Sequence, residues 1–370
     1  MSNLYIGLMS GTSMDGVDVA IVDFSKITPS ILDFKTYEYP AALVQKLNSL
    51  CAPATNELVS MGHADREVAA VFASAVNDML HKNSLNPTDI CAIGSHGQTI
   101  RHHPDGYKGF TMQIGDPNSI AVLTGIDVIA DFRRKDIALG GQGAPLAPAF
   151  HQAVFRHSHH SRVILNIGGI ANITYIPSDA SKPVLGFDTG PGNTLMDAWC
   201  QKHLKQPFDV NGAWAAKGSP DAQLLKKLLS DPFFALPAPK STGRETFHLQ
   251  WLEQLLENHP KTDSNECVQT TLAMLTCCSI AQQINQLDDV DEVFVCGGGA
   301  RNDFLMECLE NELVECNLFT TDVLGISSDS LEAIAFAWLA YAYKSEIPGN
   351  IPSVTGANRY AILGGLYPAN

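Results

Sequence analysis

The sequence lacks several features that define other classes of protein. Its nine cysteines are an odd number and form no Cys-x-x-Cys pair, a pattern typical of reduced thiols in a cytosolic enzyme. The longest apolar run, residues 333–343, falls far short of the roughly 20 residues that a membrane-spanning helix needs. The first residues do not combine a basic flank with an apolar core, as a signal peptide does. We therefore expect a cytoplasmic protein that does not act at a membrane.

Basic residues are also scarce. Lys and Arg number 24 against 39 Asp and Glu, which gives a net charge of −15. This balance argues against general nucleic-acid binding and against docking on anionic lipid. An apolar content of 45% with 17% charged residues indicates a well-packed globular protein, and 370 residues are too many for one ordinary core. Two domains are the natural expectation.

The chain opens with two short predicted strands, 4–8 and 17–22, joined by a polar loop. Glycines in such a loop let the main chain approach a ligand, and hydroxyls beside free N–H groups suit phosphate. Asp15 and Asp18 suit the hydrated Mg²⁺ that accompanies a polyphosphate, held directly or through water, although both are also ordinary turn formers. We predict nucleotide binding by the loop and the start of the second strand, namely Gly11, Thr12, Ser13, Met14, Asp15, Gly16, Val17 and Asp18.

Strands then alternate with helices, and the predicted strands end in polar loops that contain glycine, at 95–99, 113–118 and 131–142. The second half repeats this grammar. A run at 163–167 precedes the turn Gly168-Gly169, and a strand at 184–187 leads into an acidic loop at Asp188. A third glycine turn, Gly297-Gly298-Gly299, follows a strand at 292–296. We predict an α/β protein with two domains of similar architecture, 1–130 with about 345–370 and 131–344.

Four motifs carry a family resemblance: Gly-Thr-Ser-Met-Asp-Gly-Val-Asp at 11–18, Ser-His-Gly-Gln-Thr at 95–99, Ala-Asp-Phe-Arg at 130–133 and Asp-Thr-Gly-Pro-Gly-Asn at 188–193. In this order they resemble the anhydro-N-acetylmuramic acid kinases, within the hexokinase, Hsp70 and actin superfamily. The resemblance covers essentially the whole chain. It implies two ribonuclease-H-like, actin-like ATPase domains of mixed sheet and helices around a central cleft.

The resemblance also implies a reaction. Water opens a 1,6-anhydro amino sugar at its anomeric carbon, and the freed 6-oxygen takes the γ-phosphoryl group of ATP, giving N-acetylmuramic acid 6-phosphate and ADP. The setting is peptidoglycan recycling and amino-sugar catabolism, with ATP and Mg²⁺ as cofactors. The small anhydro amino sugar is the partner, with no nucleic acid or membrane, and the family suggests a homodimer.

By resemblance, Asp188 is the general base for the water, whereas the residues alone equally allow an Asx turn that caps the helix near residue 194. Gly168, Gly169, Gly297, Gly298 and Gly299 join the first loop as predicted nucleotide contacts. Arg133 suits the lactyl carboxylate of a muramic acid, since a guanidinium meets a carboxylate bidentately. Alternatively, it is a solvated charge. The predicted substrate-binding set is completed by His96, Gln98, Asp116, Gln142 and Glu332.

Three alternatives stay open. Glu332 lies three residues after Asp329 and has the spacing of a capping box. An actin- or Hsp70-like ATP-driven binding protein would use the same phosphate loops, but it has no need of the three additional polar loops of the first half. A glycosidase with paired carboxylates is disfavoured by the phosphate loops.

Overall fold

The computed structural model describes residues 3–11, 14, 16–26, 28–53, 55–106, 108–243, 245–257, 259–260 and 264–370. The chain divides into two compact units. The first unit is Met1–Val154 with Ser330–Asn370, and the second unit is Phe155–Asp329. All nine cysteines are free thiols. Among the described residues, no helix has the length and apolar character to cross a membrane.

The strands are β1 (Leu4–Ser10), β2 (Gly16–Asp23), β3 (Ser30–Glu38), β4 (Ile90–His103), β5 (Phe110–Ile114), β6 (Val128–Ala130), β7 (Arg162–Ile167), β8 (Ile170–Ile176), β9 (Leu185–Pro191), β10 (Glu292–Cys296), β11 (Asn317–Thr320) and β12 (Gly365–Tyr367).

The helices are α1 (Ala41–Leu50), α2 (Glu57–Lys82), α3 (Pro117–Thr124), α4 (Arg134–Ala138), α5 (Ala147–Phe155), α6 (Thr194–Leu204), α7 (Ala222–Leu228), α8 (Pro232–Ala235), α9 (Leu249–Glu257), α10 (Asn265–Ile284), α11 (Asp303–Glu312), α12 (Leu331–Lys344) and α13 (Pro352–Thr355).

The two units repeat one sheet topology. The 7-stranded sheet of the first unit has the order β12-β6-β4-β1-β2-β3, with β5 added to β4, and the 5-stranded sheet of the second unit has the order β11-β10-β7-β8-β9. In each, three consecutive strands pair antiparallel, and two parallel strands extend the sheet from the first of them: β4 pairs with β1 and β6 with β4, while β10 pairs with β7 and β11 with β10. The predicted α/β class with two mixed sheets is therefore confirmed.

Each unit has its own apolar core. In the first, α2 buries a face that includes Val68, Phe72 and Val76 in the same cluster as Ile6 and Ile93 of the sheet. The spacing of four residues between these α2 side chains is the periodicity of an amphipathic helix. In the second unit, Leu272 and Ile280 of α10 belong to the cluster that contains the inner side chains of the smaller sheet.

Two predicted polar loops are strands in the structure. Residues 95–99 continue β4, which runs to His103 and pairs with β5 as an antiparallel hairpin. Asp188 lies inside β9, opposite Asn172 of β8, and does not follow the strand as predicted. The predictions failed there because glycine and polar residues look like loop signals, whereas ladder pairing with a neighbouring strand overrides that local preference.

The borders of the two units fall at 154/155 and 329/330. The domain borders predicted from the sequence are 130/131 and about 344/345. Two glycines explain the place of α12. A Cβ at Gly7 would lie 1.8 Å from the carbonyl oxygen of Ala333, and one at Gly94 would lie 2.0 Å from that of Phe336. The backbone of α12 therefore lies directly on β1 and β4, and α12 belongs to the first unit.

Replacing Gly7 with Ala should destabilise the protein by about 3 kcal/mol, because the new methyl group meets backbone atoms that cannot rotate away. Gly62→Ala in α2 is the matched control. A Cβ at Gly62 meets nothing within 4 Å among the described residues, and alanine favours the helix by up to about 1 kcal/mol. Chemical denaturation of both variants checks this, and an equal effect of the two substitutions would contradict the packing of α12.

Candidate functional site

The end of β1 is tied to β4 by a buried amide. The Ser10 hydroxyl, 1% exposed, lies 2.6 Å from Oε1 of Gln98 and 2.7 Å from the carbonyl oxygen of Gly16. Nε2 of Gln98 donates to the carbonyl oxygen of Gly11 at 3.0 Å and to that of Thr99 at 3.2 Å. Gln98 is 0% exposed and uses both ends of its amide within the protein. The structure thus gives Gln98 a supporting role for the predicted phosphate loop, and its contact with the sugar stays a prediction.

Other residues of the predicted phosphate loop have structural reasons of their own. A Cβ at Gly16 would lie 2.2 Å from the carbonyl oxygen of Tyr37, so glycine is needed where β2 meets β3. Met14 is buried with φ of 55°, and Val17 belongs to the apolar core. Asp18 accepts a hydrogen bond from the Thr36 hydroxyl at 2.5 Å. Thr12, Ser13 and Asp15 lie outside the described residues.

Buried His96 and half-buried Arg133 form a hydrogen-bonded pair. Nδ1 of His96 lies 3.0 Å from the carbonyl oxygen of Ser10, and Nε2 lies 3.1 Å from Nε and 2.9 Å from Nη2 of Arg133. A carbonyl only accepts and a guanidinium only donates, so the imidazole carries its proton on Nδ1 and is neutral. Burial lowers the pKa of His96 well below its usual value, and the charge of Arg133 lowers it further.

Arg133 is held but not saturated. Nη1 donates to the carbonyl oxygen of Gly143 at 2.8 Å, while Nε and Nη2 point at His96. A guanidinium has five N–H groups, so one on Nη1 and one on Nη2 have no partner among the described residues. Burial lowers the pKa of Arg133 to about 10, with Glu332 and Asp136 opposing the shift. This group stays cationic and can offer two donors to an anion.

Glu332 lies near the start of α12 in an acidic setting. Its pKa is raised, first by desolvation and second by the charge of Asp18, while Arg133 lowers it. The residue keeps an exposed surface. The capping alternative is not seen among the described residues, because Ser330 occupies the N-cap position and Asp329 pairs with Arg301.

Asp116 and Gln142 lie elsewhere in the first unit. The Asp116 carboxylate caps α3 and accepts from the backbone N–H groups of Asn118 and Ser119, each at 3.1 Å. Gln142 is exposed and lines a cavity of about 580 Å³. The local role of Asp116 is the capping role that an aspartate before Pro-Asn-Ser normally takes.

A smaller pocket of about 170 Å³ lies beside the middle of β4 and the ends of β5 and β6. The Ser95 hydroxyl is buried without a hydrogen-bond partner among the described residues, and Ser95 and His96 both line the pocket. Asp131, with φ of 61°, and Arg134 line it too and pair with each other at 2.7 Å. The pocket therefore presents hydrogen-bonding groups of both kinds, as recognition of a hydroxylated ligand requires.

The glycine turns of the second unit lie against each other. The carbonyl oxygens of Gly168 and Gly169 accept from the backbone N–H groups of Asn193 and Gly192, at 2.8 and 2.9 Å. A Cβ at Gly299 would lie 2.3 Å from Cγ2 of Ile167. Gly297 has φ of 80°, a conformation that favours glycine, and Gly298 is adjacent. Because β7 and β10 are parallel neighbours, their turns meet at one edge of the sheet.

Asp188 is a half-buried carboxylate in the edge strand β9. Its Oδ2 accepts from the Ser241 hydroxyl at 3.0 Å and from the backbone N–H of Thr242 at 2.9 Å. Oδ1 accepts no hydrogen bond within the described part of the chain. Burial raises the pKa of Asp188, Glu245 adds to the rise, and the two hydrogen bonds oppose it. Asp188 does not cap α6, whose N-cap is Asn193.

Comparison with known proteins settles the family. The family model described as anhydro-N-acetylmuramic acid kinase matches residues 3–369. The chain belongs to the anhydro-N-acetylmuramic acid kinase family. Relatives of that name from Shewanella pealeana and Shewanella frigidimarina are 54% and 56% identical, covering 100% and 99% of this chain and 100% and 98% of theirs.

Similarity to solved structures is more distant. The activator of the 2-hydroxyisocaproyl-CoA dehydratase from Clostridium difficile, with bound ADPNP, aligns with a TM-score of 0.46 at 13% identity and covers 93% of this chain and 96% of that one. A ROK family glucokinase from Streptomyces griseus, in complex with glucose and AMPPNP, aligns with a TM-score of 0.41 at 12% identity and covers 91% and 98%.

Sequence reasoning missed the segment that holds Asp188 in this anhydro-N-acetylmuramic acid kinase family member. Lys240, Ser241 and Thr242 follow the apolar and proline-rich run 232–239, and nothing in their spacing indicates that they meet a residue 52 to 54 positions earlier. A buried lysine is rare enough to be a signal, but only the structure reveals that Lys240 is 8% exposed.

The imidazole of His96 should remain neutral, with its proton on Nδ1, at pH 6, where an ordinary histidine with a pKa near 6.5 is mostly charged. Nitrogen-15 NMR of histidine-labelled protein checks this, with the His96 signals assigned by their loss in His96→Gln. Observation of an imidazolium, or of the tautomer protonated on Nε2, would contradict the hydrogen-bond arrangement.

Proposed function

We propose that this chain is an ATP-dependent kinase that opens 1,6-anhydro-N-acetylmuramic acid with water and phosphorylates its 6-oxygen, giving N-acetylmuramic acid 6-phosphate and ADP. The names of its full-length relatives support this substrate. The observation that carries the mechanism is the setting of Asp188, whose one oxygen is fixed by two donors while the other accepts none among the described residues.

Asp188 is proposed as the general base. Its fixed Oδ2 sets the orientation of the carboxylate, and Oδ1 takes a proton from the water that attacks the anomeric carbon. The bond from that carbon to the bridging oxygen breaks, and this oxygen becomes the 6-oxygen that receives the γ-phosphoryl group. Because its pKa is raised, the ionised carboxylate of Asp188 is a stronger base than that of an ordinary aspartate.

The nucleotide contacts are proposed at glycine turns, where backbone N–H groups meet phosphate. These are the Gly11 loop in the first unit and, in the second unit, Gly168, Gly169, Gly297, Gly298 and Gly299. Close packing of the two turns of the second unit supports this role, because it fixes the backbone without side chains in the way. Phosphoryl transfer depends mainly on such positioning and on electrostatic stabilisation.

Mg²⁺ fits the acidic groups of the first unit. Asp18 and Glu332 are close enough for the charge of Asp18 to raise the pKa of Glu332. One or two carboxylates with phosphate oxygens and water are the usual ligands of Mg²⁺. No group of three or more metal-ligating side chains occurs among the described residues, and Asp15 lies outside them. Asp18, with Asp15, would hold an ion that neutralises phosphate charge.

The contacts to the sugar, which is the phosphoryl acceptor, are proposed in the first unit. Arg133 offers its two remaining N–H donors to the lactyl carboxylate, held in place by His96. The pocket lined by Ser95 and Asp131 suits sugar hydroxyls. Three further proposals are the cytoplasm as location, peptidoglycan recycling as pathway and a homodimer as assembly. Light scattering of the purified protein tests the assembly.

Purified protein mixed with ATP, Mg²⁺ and the anhydro sugar should release ADP and form the sugar 6-phosphate, as followed by phosphorus-31 NMR. ADP release that does not depend on the sugar would instead favour an ATP-driven binding protein. Asp188→Asn should bind ATP and the sugar but lose about 10²–10⁴-fold in turnover, since that is the usual contribution of a general base. Normal turnover by this variant would remove the assignment.

The activity should fall as the pH drops through the pKa of Asp188, because only the ionised carboxylate accepts a proton. Since that pKa is raised, the loss should occur above 3.8, the value of an ordinary aspartate. A profile of kcat/KM against pH checks this. An acid limb at or below 3.8 in protein that remains folded would contradict it.

Replacing Arg133 with Ala should raise KM for the sugar with a lactyl group about 10–100-fold, because a charge-assisted hydrogen-bond pair is lost. The anhydro sugar without the lactyl group is the matched control and should be affected far less. Equal losses for both sugars would remove the pairing of Arg133 with a carboxylate.

A further inference from the structure

Lys240 is a buried lysine with no carboxylate partner among the described residues. Its side chain is 8% exposed, and Nζ lies 3.2 Å from the carbonyl oxygen of Phe233 and 3.3 Å from that of Phe234. The ammonium group also lies 4.7 Å from the centre of the Phe233 ring. Burial lowers the pKa of Lys240. A lysine is rarely buried in this way unless it is paired with an opposite charge.

The backbone of Lys240 and the two residues that follow it all contact Asp188. The carbonyl oxygen of Lys240 accepts from the backbone N–H of Asp188 at 3.0 Å, which extends the exposed edge of β9 by one bond. Ser241 and Thr242 then donate to Oδ2 of Asp188. The segment 240–242 therefore sets both the backbone and the carboxylate of this residue.

The side chain of Lys240 fixes this segment to α8, and α8 in turn packs against β9. A Cβ at Gly190, two residues after Asp188, would lie 2.8 Å from Cε1 of Phe234. Phe233 and Phe234 both pack on Phe247, with ring centres 5.6 Å apart in each case. Segment 240–242 thus contacts β9 directly and also through α8. Among the described residues, Lys240 is the only residue of this segment whose side chain donates hydrogen bonds to α8.

We propose that Lys240 is a positioning residue that sets the orientation and proton affinity of Asp188 by fixing segment 240–242 to α8. This inference rests on the proposed role of Asp188 as the base. The physical reason is that two donors favour the ionised carboxylate only while they are held in place. Without the ammonium group the segment can move, the donors separate from Oδ2, and the proton affinity of Asp188 rises.

Lys240→Met removes the charge and keeps most of the side-chain volume. We expect the acid limb of kcat/KM to move up by about one pH unit and kcat at pH 7 to fall about tenfold, with KM for ATP changed less than twofold. Lys240→Arg, which keeps a donor cation, should recover most of the activity. An unchanged limb and an unchanged kcat in Lys240→Met would overturn the proposal.

Lys227→Met is the matched control. Nζ of Lys227 in α7 also donates to a backbone carbonyl oxygen, that of Leu255, at 2.7 Å in the same unit. Its loss should leave the pH profile and kcat at wild-type values. If Lys227→Met moves the acid limb as far as Lys240→Met does, the effect is general loss of stability and the proposal is wrong.

Ser241→Ala keeps the test decisive if Lys240→Met does not fold. Ser241 is exposed, so its loss removes one donor to Asp188 without disturbing a core. It should move the acid limb in the same direction at an unchanged melting temperature, and an unmoved limb would overturn the proposal. In the double variant of Lys240→Met and Ser241→Ala, the shift of the acid limb should be smaller than the sum of the shifts in the two single variants, because both substitutions act through one segment. Full additivity would contradict that route.

Asp188→Asn separates this inference from the proposed function. If that variant is inactive while Lys240→Met behaves like wild type, only the positioning role fails. If Asp188→Asn turns over normally, the base assignment fails and the role of Lys240 fails with it, whatever the lysine variants do.

Discussion

The first unit depends on one continuous chain of buried and half-buried hydrogen bonds. It runs from the loop after β1 through Ser10 to His96, and from His96 to Arg133 and Gly143. Each link has a fixed direction, because the carbonyl oxygens at Ser10 and Gly143 only accept and the guanidinium only donates. Neutral His96 with its proton on Nδ1 donates to the carbonyl oxygen of Ser10 and accepts from Arg133. The residues proposed to contact the nucleotide phosphates and the sugar are thereby held in one rigid hydrogen-bond network.

The second unit holds its proposed functional groups in place through glycine turns and an edge strand. Its glycine turns follow the parallel strands β7 and β10, at the strand ends where open sheets commonly bind ligands. Asp188 lies in the edge strand, whose outer side is completed by the backbone of Lys240. An edge position leaves a carboxylate accessible, and a short fixed segment then sets its orientation. In the shared sheet order, the Gly11 loop of the first unit and the Gly168-Gly169 turn of the second unit follow corresponding strands, β1 and β7.

Much of this could be predicted from sequence, because helix 58–80 has strong apolar periodicity, while strand 292–296 and the strands of the opening hairpin are short apolar runs. The family motifs pointed to Asp188 and Arg133, although the sites they propose remain to be tested. What failed was local. Residues 95–99 look like a loop because their strand pairing is formed with distant residues. The hydrogen bonds of Gln98 to Ser10 and Gly11 could not be predicted either, because these partners are almost 90 residues away. The contact of segment 240–242 with Asp188 could not be predicted for the same reason.

The central claim, that water opens the anhydro bridge while ATP supplies only the phosphoryl group, can be tested with water enriched in oxygen-18. The account predicts one labelled oxygen in the product, on the anomeric carbon, and none in its phosphate ester. Samples taken early and compared with unlabelled product incubated in the same water correct for anomeric exchange. Label in the phosphate ester, or an anomeric oxygen labelled no faster than exchange allows, would contradict the account.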